Sequence, residues 1–132
     1  MPLRDEIINW LDTAKADLEH AKKSMDIKDY SWACFAAQQA AEKALKSLIM
    51  YLFGEYPRGH DLVKLYERIS SRVSLSVSKD SLLELSAYYT IARYPNAGIE
   101  RPFEEIGEEQ AKRAVEVSEV IVSEVSRIIR DP

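Results

Sequence analysis

The spacing of apolar residues in the first 25 positions is the feature that most constrains how this chain folds. Apolar side chains recur there at alternating intervals of four and three residues: Ile7, Leu11, Ala14, Leu18, Ala21 and Met25. Because an α-helix has about 3.6 residues per turn, this spacing places all of them on one side of a helix. An apolar stripe of this kind is buried against a neighbouring element, so the pattern predicts a helix packed in a bundle.

The same period continues after the break at residues 26–29 and predicts a second long helix, from Tyr30 to about Phe53. Its inward positions are mostly alanine: Ala33, Ala37, Ala41 and Ala44, followed by Leu48 and Leu52. Small side chains let a neighbouring helix approach closely, to an interaxial distance of about 8 Å. The segment from Gly54 to Gly59 contains Pro57 and is predicted to be a loop that ends this helix.

Three further helices are predicted in the second half of the chain. A short one is marked by apolar residues at 62, 65 and 69. The next opens with a capping box formed by Ser81 and Glu84 and stops near Arg93, ahead of Pro95. The last runs from Glu108 to about Arg130, and the segment 94–107 before it is predicted to be a long loop.

These elements predict an all-α fold, an antiparallel up-and-down helical bundle of four long helices plus one short helix. A chain of 132 residues is the usual size of one domain, so residues 1–132 are assigned to a single bundle domain. The only cysteine, Cys34, has no partner for an internal disulfide. No apolar run approaches the roughly 20 residues that span a bilayer, so membrane insertion and export are not expected and the predicted location is cytoplasmic.

The charge balance argues against general nucleic-acid binding. The net charge is −4, and lysines and arginines alternate with acidic residues along the chain, so the overall field repels a phosphate backbone. A local basic site remains compatible with this balance. The sequence also contains no Gly-x-Ser-x-Gly, no glycine-rich phosphate loop and no Glu-x-x-His pairs of the di-iron bundles, so no catalytic residue, metal or cofactor is predicted.

Polar residues at the helix ends suggest a ligand site. Since short connections make successive helices antiparallel, the ends of the second and fourth helices and the start of the third are expected to meet at one pole of the bundle. That pole would collect Arg58, His60, Arg93, Tyr94 and Asn96, whose donors could hold an anion such as a phosphate. The alternative is structural: Arg93 would satisfy carbonyls at its helix end, and His60 would cap the third helix.

The second helix also carries a polar stripe of Gln39, Lys43 and Lys46. We interpret it as a solvated face, with ligand binding as the alternative. Glu42 lies four residues before Lys46, a spacing at which the two side chains can form an ion pair on a helix.

Several of these segments, taken in order, resemble the HEPN family (higher eukaryotes and prokaryotes nucleotide-binding). The segments are Trp10 with Ala16-Asp17-Leu18, the stretch Ala36-Ala37-Gln38-Gln39-Ala40-Ala41-Glu42-Lys43-Ala44-Leu45-Lys46, the motif Gly59-His60-Asp61-Leu62, and Ala92-Arg93-Tyr94-Pro95. The resemblance covers nearly the whole chain. It implies a dimeric helical bundle, often paired with a small nucleotidyltransferase in toxin–antitoxin-like systems.

The resemblance also implies a possible activity, because some branches of the family are metal-independent ribonucleases. Those nucleases use an arginine followed after four to six residues by a histidine. Neither histidine here has that arginine: positions 13–15 before His20 are Thr, Ala and Lys, and positions 53–55 before His60 are Phe, Gly and Glu. Arg93 has no histidine downstream. The motif is therefore absent, and with it the usual group that deprotonates a ribose 2′-hydroxyl near neutral pH.

The sequence thus favours a non-catalytic HEPN-like module that binds a nucleotide or phosphate ligand, or that partners a nucleotidyltransferase. The predicted ligand-binding residues are Arg93, His60, Tyr94, Asn96, Arg58, Lys43, Lys46 and Gln39. One alternative is a ribonuclease with a rearranged site that uses His60 and Arg93, and another is a purely structural interaction bundle. A homodimer is expected because Val117 and Val120 widen the apolar surface of the last helix beyond one packing seam.

Overall fold

Helices α1 (Pro2–Asp26) and α2 (Tyr30–Phe53) pack against each other in the computed structural model, which describes residues 2–129. The predicted stripe of α1 faces this contact. Ile7, Leu11, Ala14, Leu18 and Ala21 are buried, and Met25 is partly buried against the same core. The helical phase deduced from the spacing of apolar residues is therefore confirmed.

Helix α2 is the central element and contacts each of the other helices. Five of its six alanines form a fully buried strip: Ala33, Ala37, Ala40, Ala41 and Ala44. The close approach that these small residues allow is visible on the side of α6 (Glu108–Ile128), where the Ser118 hydroxyl donates a 2.7 Å hydrogen bond to the Ala37 carbonyl oxygen. A larger side chain in the strip would separate these two backbones.

Helices α3 (Leu62–Ile69), α4 (Lys79–Ile91) and α6 correspond to the last three predicted helices. The start predicted for α4 is wrong by about one turn. Ser78 is the N-cap, with extended backbone and a hydroxyl that accepts the Ser81 N–H at 3.1 Å, while Glu84 pairs with Arg113 of α6 instead of capping. The predicted end of the last helix, Arg130, lies outside the described residues.

The segment 94–107, predicted to be a loop, contains one additional short helix, α5 (Pro102–Glu105). Pro102 occupies its first turn, where the fixed φ of proline suits a helix and the missing N–H costs nothing. Pro102 and Ile106 are both buried and attach the segment to the bundle. A helix of four residues is too short to show an apolar period, and for this reason the sequence pattern does not reveal it.

The all-α bundle predicted from the sequence is confirmed over the described part of the chain, where six helices and no strand are found. None of the helices within residues 2–129 has an apolar stretch long enough to cross a membrane.

Candidate functional site

A buried carboxylate, that of Glu42, organises the polar side of α2. It lies 3.2 Å from Lys46 Nζ and 2.9 Å from His60 Nδ1, and it accepts a 3.2 Å hydrogen bond from Gln38 Nε2. Only 3% of Glu42 and 6% of Lys46 is exposed to solvent. The ion pair expected from the four-residue spacing is confirmed, and its burial makes the pairing necessary because an unpaired charge there would be very costly.

This geometry corrects the interpretation of the Gln39, Lys43 and Lys46 stripe as a solvated face. Lys46 is buried, with its ammonium 5.6 Å from the centre of the Trp10 ring. Lys43 is partly buried and forms a 2.6 Å ion pair with Asp17 of α1. Gln39 donates from Nε2 to Gln38 Oε1 at 2.8 Å. The stripe lies in the packing between α2 and its neighbours rather than in open solvent.

His60 is attached to the bundle at three points. Its Nδ1 contacts Glu42, its backbone carbonyl accepts from Gln38 Nε2 at 3.2 Å, and its ring stacks on Tyr89 of α4 with centres 3.9 Å apart. The side chain is nevertheless about half exposed. Because Glu42 occupies Nδ1, Nε2 is the ring nitrogen available to a ligand.

The suggestion that His60 caps the third helix is wrong. Asp61 is the N-cap of α3, and its carboxylate accepts from the backbone N–H groups of Val63 and Lys64 at 3.0 and 3.3 Å. An aspartate at this position satisfies helix-end donors that would otherwise be unpaired. His60 is thereby free to turn toward α2 and α4.

Arg93 lies among three aromatic rings just beyond the end of α4. Its Cζ is 4.6 Å from the ring centre of Phe35, 4.7 Å from that of Tyr89 and 4.8 Å from that of Tyr94. Its Nε donates a 2.8 Å hydrogen bond to the Tyr89 carbonyl oxygen. This is the contact expected if Arg93 satisfies carbonyl groups at its helix end. We call these four residues together with His60 the Arg93 cluster.

The Arg93 guanidinium has no carboxylate within ion-pair distance among residues 2–129. Its Nε is used by the bundle, so the two terminal nitrogens remain for an external acceptor. A cation held on aromatic faces without a neutralising acid is suited to bind an anion by charge-assisted hydrogen bonds.

The expected pole of the bundle is replaced by a site on the side of α2. Arg93 contacts Phe35 in the first half of α2, and His60 contacts Glu42 near its middle. The end of α2 is covered instead by Arg72, which lies beyond α3, stacks on Phe53 and donates to the Leu52 carbonyl oxygen. The reason is the path of the segment 54–61, which returns alongside α2 instead of ending at the tip of the bundle.

Two of the residues predicted for the pole are not brought into the cluster. Arg58 and Asn96 are both exposed, and within the described part of the chain neither side chain forms a hydrogen bond or ion pair with the Arg93 cluster. Asn96 has a left-handed backbone, with φ of 59°, which asparagine tolerates better than most residues, and its N–H donates to the Glu100 carbonyl oxygen. Its role here is in the turn.

Cys34, one residue before Phe35, is not a nucleophile of this site. It is fully buried, and burial raises the pKa of its thiol to about 12, against a smaller lowering by a hydrogen bond with Tyr88. Burial also raises the pKa of Tyr88. Both groups stay protonated near neutral pH. Among residues 2–129 there is no group of three or more His, Cys, Asp or Glu side chains placed to hold a metal ion.

Sequence reasoning missed Phe35 and Tyr89 of the cluster and the donor Gln38. Helical spacing carried a signal for Tyr89 and Gln38. Tyr89 precedes Arg93 by four residues, and Gln38 precedes Glu42 by four. This spacing places the two members of each pair on the same face of a helix. Phe35 had no such signal, because its contact with Arg93 depends on how α2 and α4 cross.

Comparison with known proteins agrees with the resemblance noted in the sequence. Residues 8–128 match the HEPN domain family. The protein TT1696 from Thermus thermophilus superposes with a TM-score of 0.78 at 33% identity, covering 92% of this chain and 96% of that one. ST0689, described as an archaeal HEPN homologue, gives a TM-score of 0.73 at 30% identity, covering 94% and 98%.

A HEPN domain protein from Thermotoga maritima, tm0613, is similar at 27% identity with a TM-score of 0.70, covering 94% of this chain and 99% of that one. A search of the curated proteins found no match. Since the family match spans nearly the whole described bundle, this chain belongs to the HEPN family.

Proposed function

We propose that this chain is a non-catalytic HEPN module that binds a nucleotide or another phosphate-bearing ligand at the Arg93 cluster. The observation that carries the proposal is the Arg93 guanidinium, held by three rings and one carbonyl and lacking a carboxylate partner within residues 2–129. Each charge-assisted hydrogen bond to a phosphate would contribute about 1.5–3 kcal/mol before desolvation is subtracted.

The packing of Arg93 also supports the proposal through entropy. A free arginine loses rotamer freedom when it binds, at a cost of roughly 0.5–1.5 kcal/mol for each side chain that becomes fixed. Here the aromatic rings and the Nε hydrogen bond already restrict the side chain. The guanidinium is therefore oriented before any ligand arrives.

The test is titration calorimetry with inorganic phosphate and a panel of nucleotides. Arg93→Ala should weaken binding at least tenfold, about 1.4 kcal/mol. The matched control is Arg72→Ala, because Arg72 also stacks on an aromatic ring and donates to a backbone carbonyl but lies elsewhere on the surface. The proposal fails if the wild-type protein binds none of these ligands, or if both variants lose the same affinity.

One contact favours a second candidate, a ribonuclease with a rearranged site. Glu42 accepts at Nδ1 of His60, an arrangement that fixes the imidazole and leaves Nε2 to take up a proton. His60 and Arg93 contact the same ring, that of Tyr89, so a base and a cation lie near each other. Cleavage of a labelled single-stranded RNA that disappears in His60→Ala would support this candidate over the binding module.

The proposed partners of this chain are a separate small nucleotidyltransferase and a second copy of the chain itself. Both follow from the family resemblance, and the partner enzyme would approach the same partly buried cation, Arg93. Titration against a nucleotidyltransferase encoded in a neighbouring reading frame tests the first partnership. Loss of that binding in Arg93→Ala, with Arg72→Ala unaffected, is the expected result.

A further inference from the structure

A groove between α1 and α2 adjoins the Arg93 cluster. It has a volume of about 440 Å³, and its lining includes Asp17, His20, Asp29, Trp32, Phe35 and Gln39. Trp32 is 51% exposed although it is a large aromatic side chain, and it meets Phe35 edge to face at 5.6 Å. An exposed indole at the wall of a groove offers a flat surface on which a planar ring can stack.

Phe35 joins the groove to the cation. One ring lines the groove, contacts Trp32, and lies 4.6 Å from the Cζ of Arg93. These two contacts place the guanidinium within about 10 Å of the indole ring. A ligand with a planar ring at one end and a phosphate at the other, which describes a nucleoside monophosphate, can span that distance.

The polar groups of the groove determine which end of such a ligand enters it. Asp29 is the residue before α2, but its carboxylate does not cap the helix and has no hydrogen-bond partner within residues 2–129. Gln39 uses Nε2 on Gln38, which leaves its Oε1 as an acceptor. Lys43 also lines the groove, but its ammonium is paired with the Asp17 carboxylate at 2.6 Å. The Asp29 carboxylate has no ion-pair partner within residues 2–129, and acceptors beside such a charge repel a phosphate and attract N–H donors.

We propose that this groove receives the base of a nucleotide whose phosphate binds Arg93, and that it selects bases carrying an exocyclic amino group. The base stacks on Trp32, and its amino group donates to the acceptors of the groove. This inference rests on the proposed function, since it assigns the phosphate to Arg93. It adds the position of the base and a preference for cytosine, adenine or guanine over uracil.

The first experiment uses tryptophan fluorescence. The chain has two tryptophans, so Trp10→Phe leaves Trp32 as the only reporter. AMP should quench that emission, whereas inorganic phosphate should not. In Trp32→Ala, AMP affinity should fall at least about tenfold, as expected for a lost base–aromatic stack. Trp32→Phe keeps a ring and should recover part of the affinity. Trp32 is exposed, so neither change removes core packing.

The second experiment compares CMP with UMP, which differ in an amino group against a carbonyl at one ring position. CMP should bind at least about fivefold more tightly, because the uracil carbonyl would face acceptors and leave them unpaired. Asp29→Asn should reduce that ratio. Equal affinities for CMP and UMP in the wild-type protein would overturn the base preference.

The outcomes separate this inference from the proposed function. Binding of AMP and inorganic phosphate that depends on Arg93 but not on Trp32 would overturn the groove and leave the phosphate site standing. Binding of AMP that depends on Trp32 but not on Arg93 would keep the groove as a base site and overturn the phosphate site. Failure of AMP to bind overturns the groove, and the phosphate site is overturned with it if inorganic phosphate and the other nucleotides also fail to bind.

Discussion

Replacement of Glu42 by leucine should be far more damaging than replacement of its ion-pair partner. The carboxylate has three partners, Lys46, His60 and Gln38, and its loss leaves the Lys46 ammonium buried. No other carboxylate of residues 2–129 lies within ion-pair distance of Lys46. Removing one member of a buried pair costs about 3–5 kcal/mol, so Glu42→Leu should lower the free energy of unfolding by that amount.

Lys46→Met should cost less, because the buried Glu42 carboxylate keeps two of its three partners. The Glu42 carboxylate still has His60 Nδ1 and Gln38 Nε2, so it is not orphaned, and the cost should be only about 1–3 kcal/mol. The double variant Glu42→Leu/Lys46→Met has no buried charge at either position. It should be more stable than Glu42→Leu alone by roughly 2 kcal/mol, because a buried pair replaced as a whole is often nearly neutral.

Urea unfolding followed by far-ultraviolet circular dichroism measures all three variants, at one protein concentration so that any assembly affects them equally. The decisive result is the difference in the free energy of unfolding between Glu42→Leu and Lys46→Met. If Lys46→Met costs as much as Glu42→Leu, or if the two single effects simply add in the double variant, Glu42 is not the centre of the network and the reasoning is wrong.

Three further predictions concern the core, the thiol and the assembly. Leu45→Ala should destabilise the fold by about 2–5 kcal/mol because Leu45 is fully buried, whereas Lys23→Ala on the exposed side of α1 should change it by less than about 0.5 kcal/mol; equal melting shifts would contradict the helical phase. Burial raises the pKa of Cys34 from 9.0 to about 12, so above pH 9 the unfolded chain loses a proton that the folded chain keeps. Stability should therefore be unaffected by this group below pH 9 and fall above it by up to about 1.4 kcal/mol per pH unit, with a shallower fall in Cys34→Ala when unfolding is measured between pH 8 and pH 10. Light scattering should give a homodimer, and Val120→Glu on the partly exposed face of α6 should yield the monomer; a wild-type mass near 15.1 kDa would refute the assembly.

The helices could be predicted from the sequence because burial imposes a period that is visible in one dimension. The apolar stripe of α1 and the alanine strip of α2 have the phase that the spacing indicates. Two details differ. The predicted N-cap of α4 is Ser81, although Ser78 offers the same hydroxyl chemistry one turn earlier, and α5 is too short to show a period.

The candidate site was predictable only in part, because its geometry depends on the path of a loop. Arg93 and Tyr94 adjoin in sequence and are in contact in the structure. His60 and Arg93 share one neighbour, since both touch Tyr89. The route of residues 54–61 back along α2 has no local signature in the sequence, and it is this route that places His60 on Glu42 instead of at a pole.

The alanine strip of α2 has a consequence for genetics. At Ala37 and its buried neighbours there is no room for a larger side chain, since α6 approaches closely enough for Ser118 to bond the helix backbone. Adding one or two methyl groups there would strain the packing by about 1–3 kcal/mol without altering any surface group. Substitutions such as Ala37→Val are therefore expected to give temperature-sensitive alleles. The bundle would unfold on warming, although no surface group had been changed.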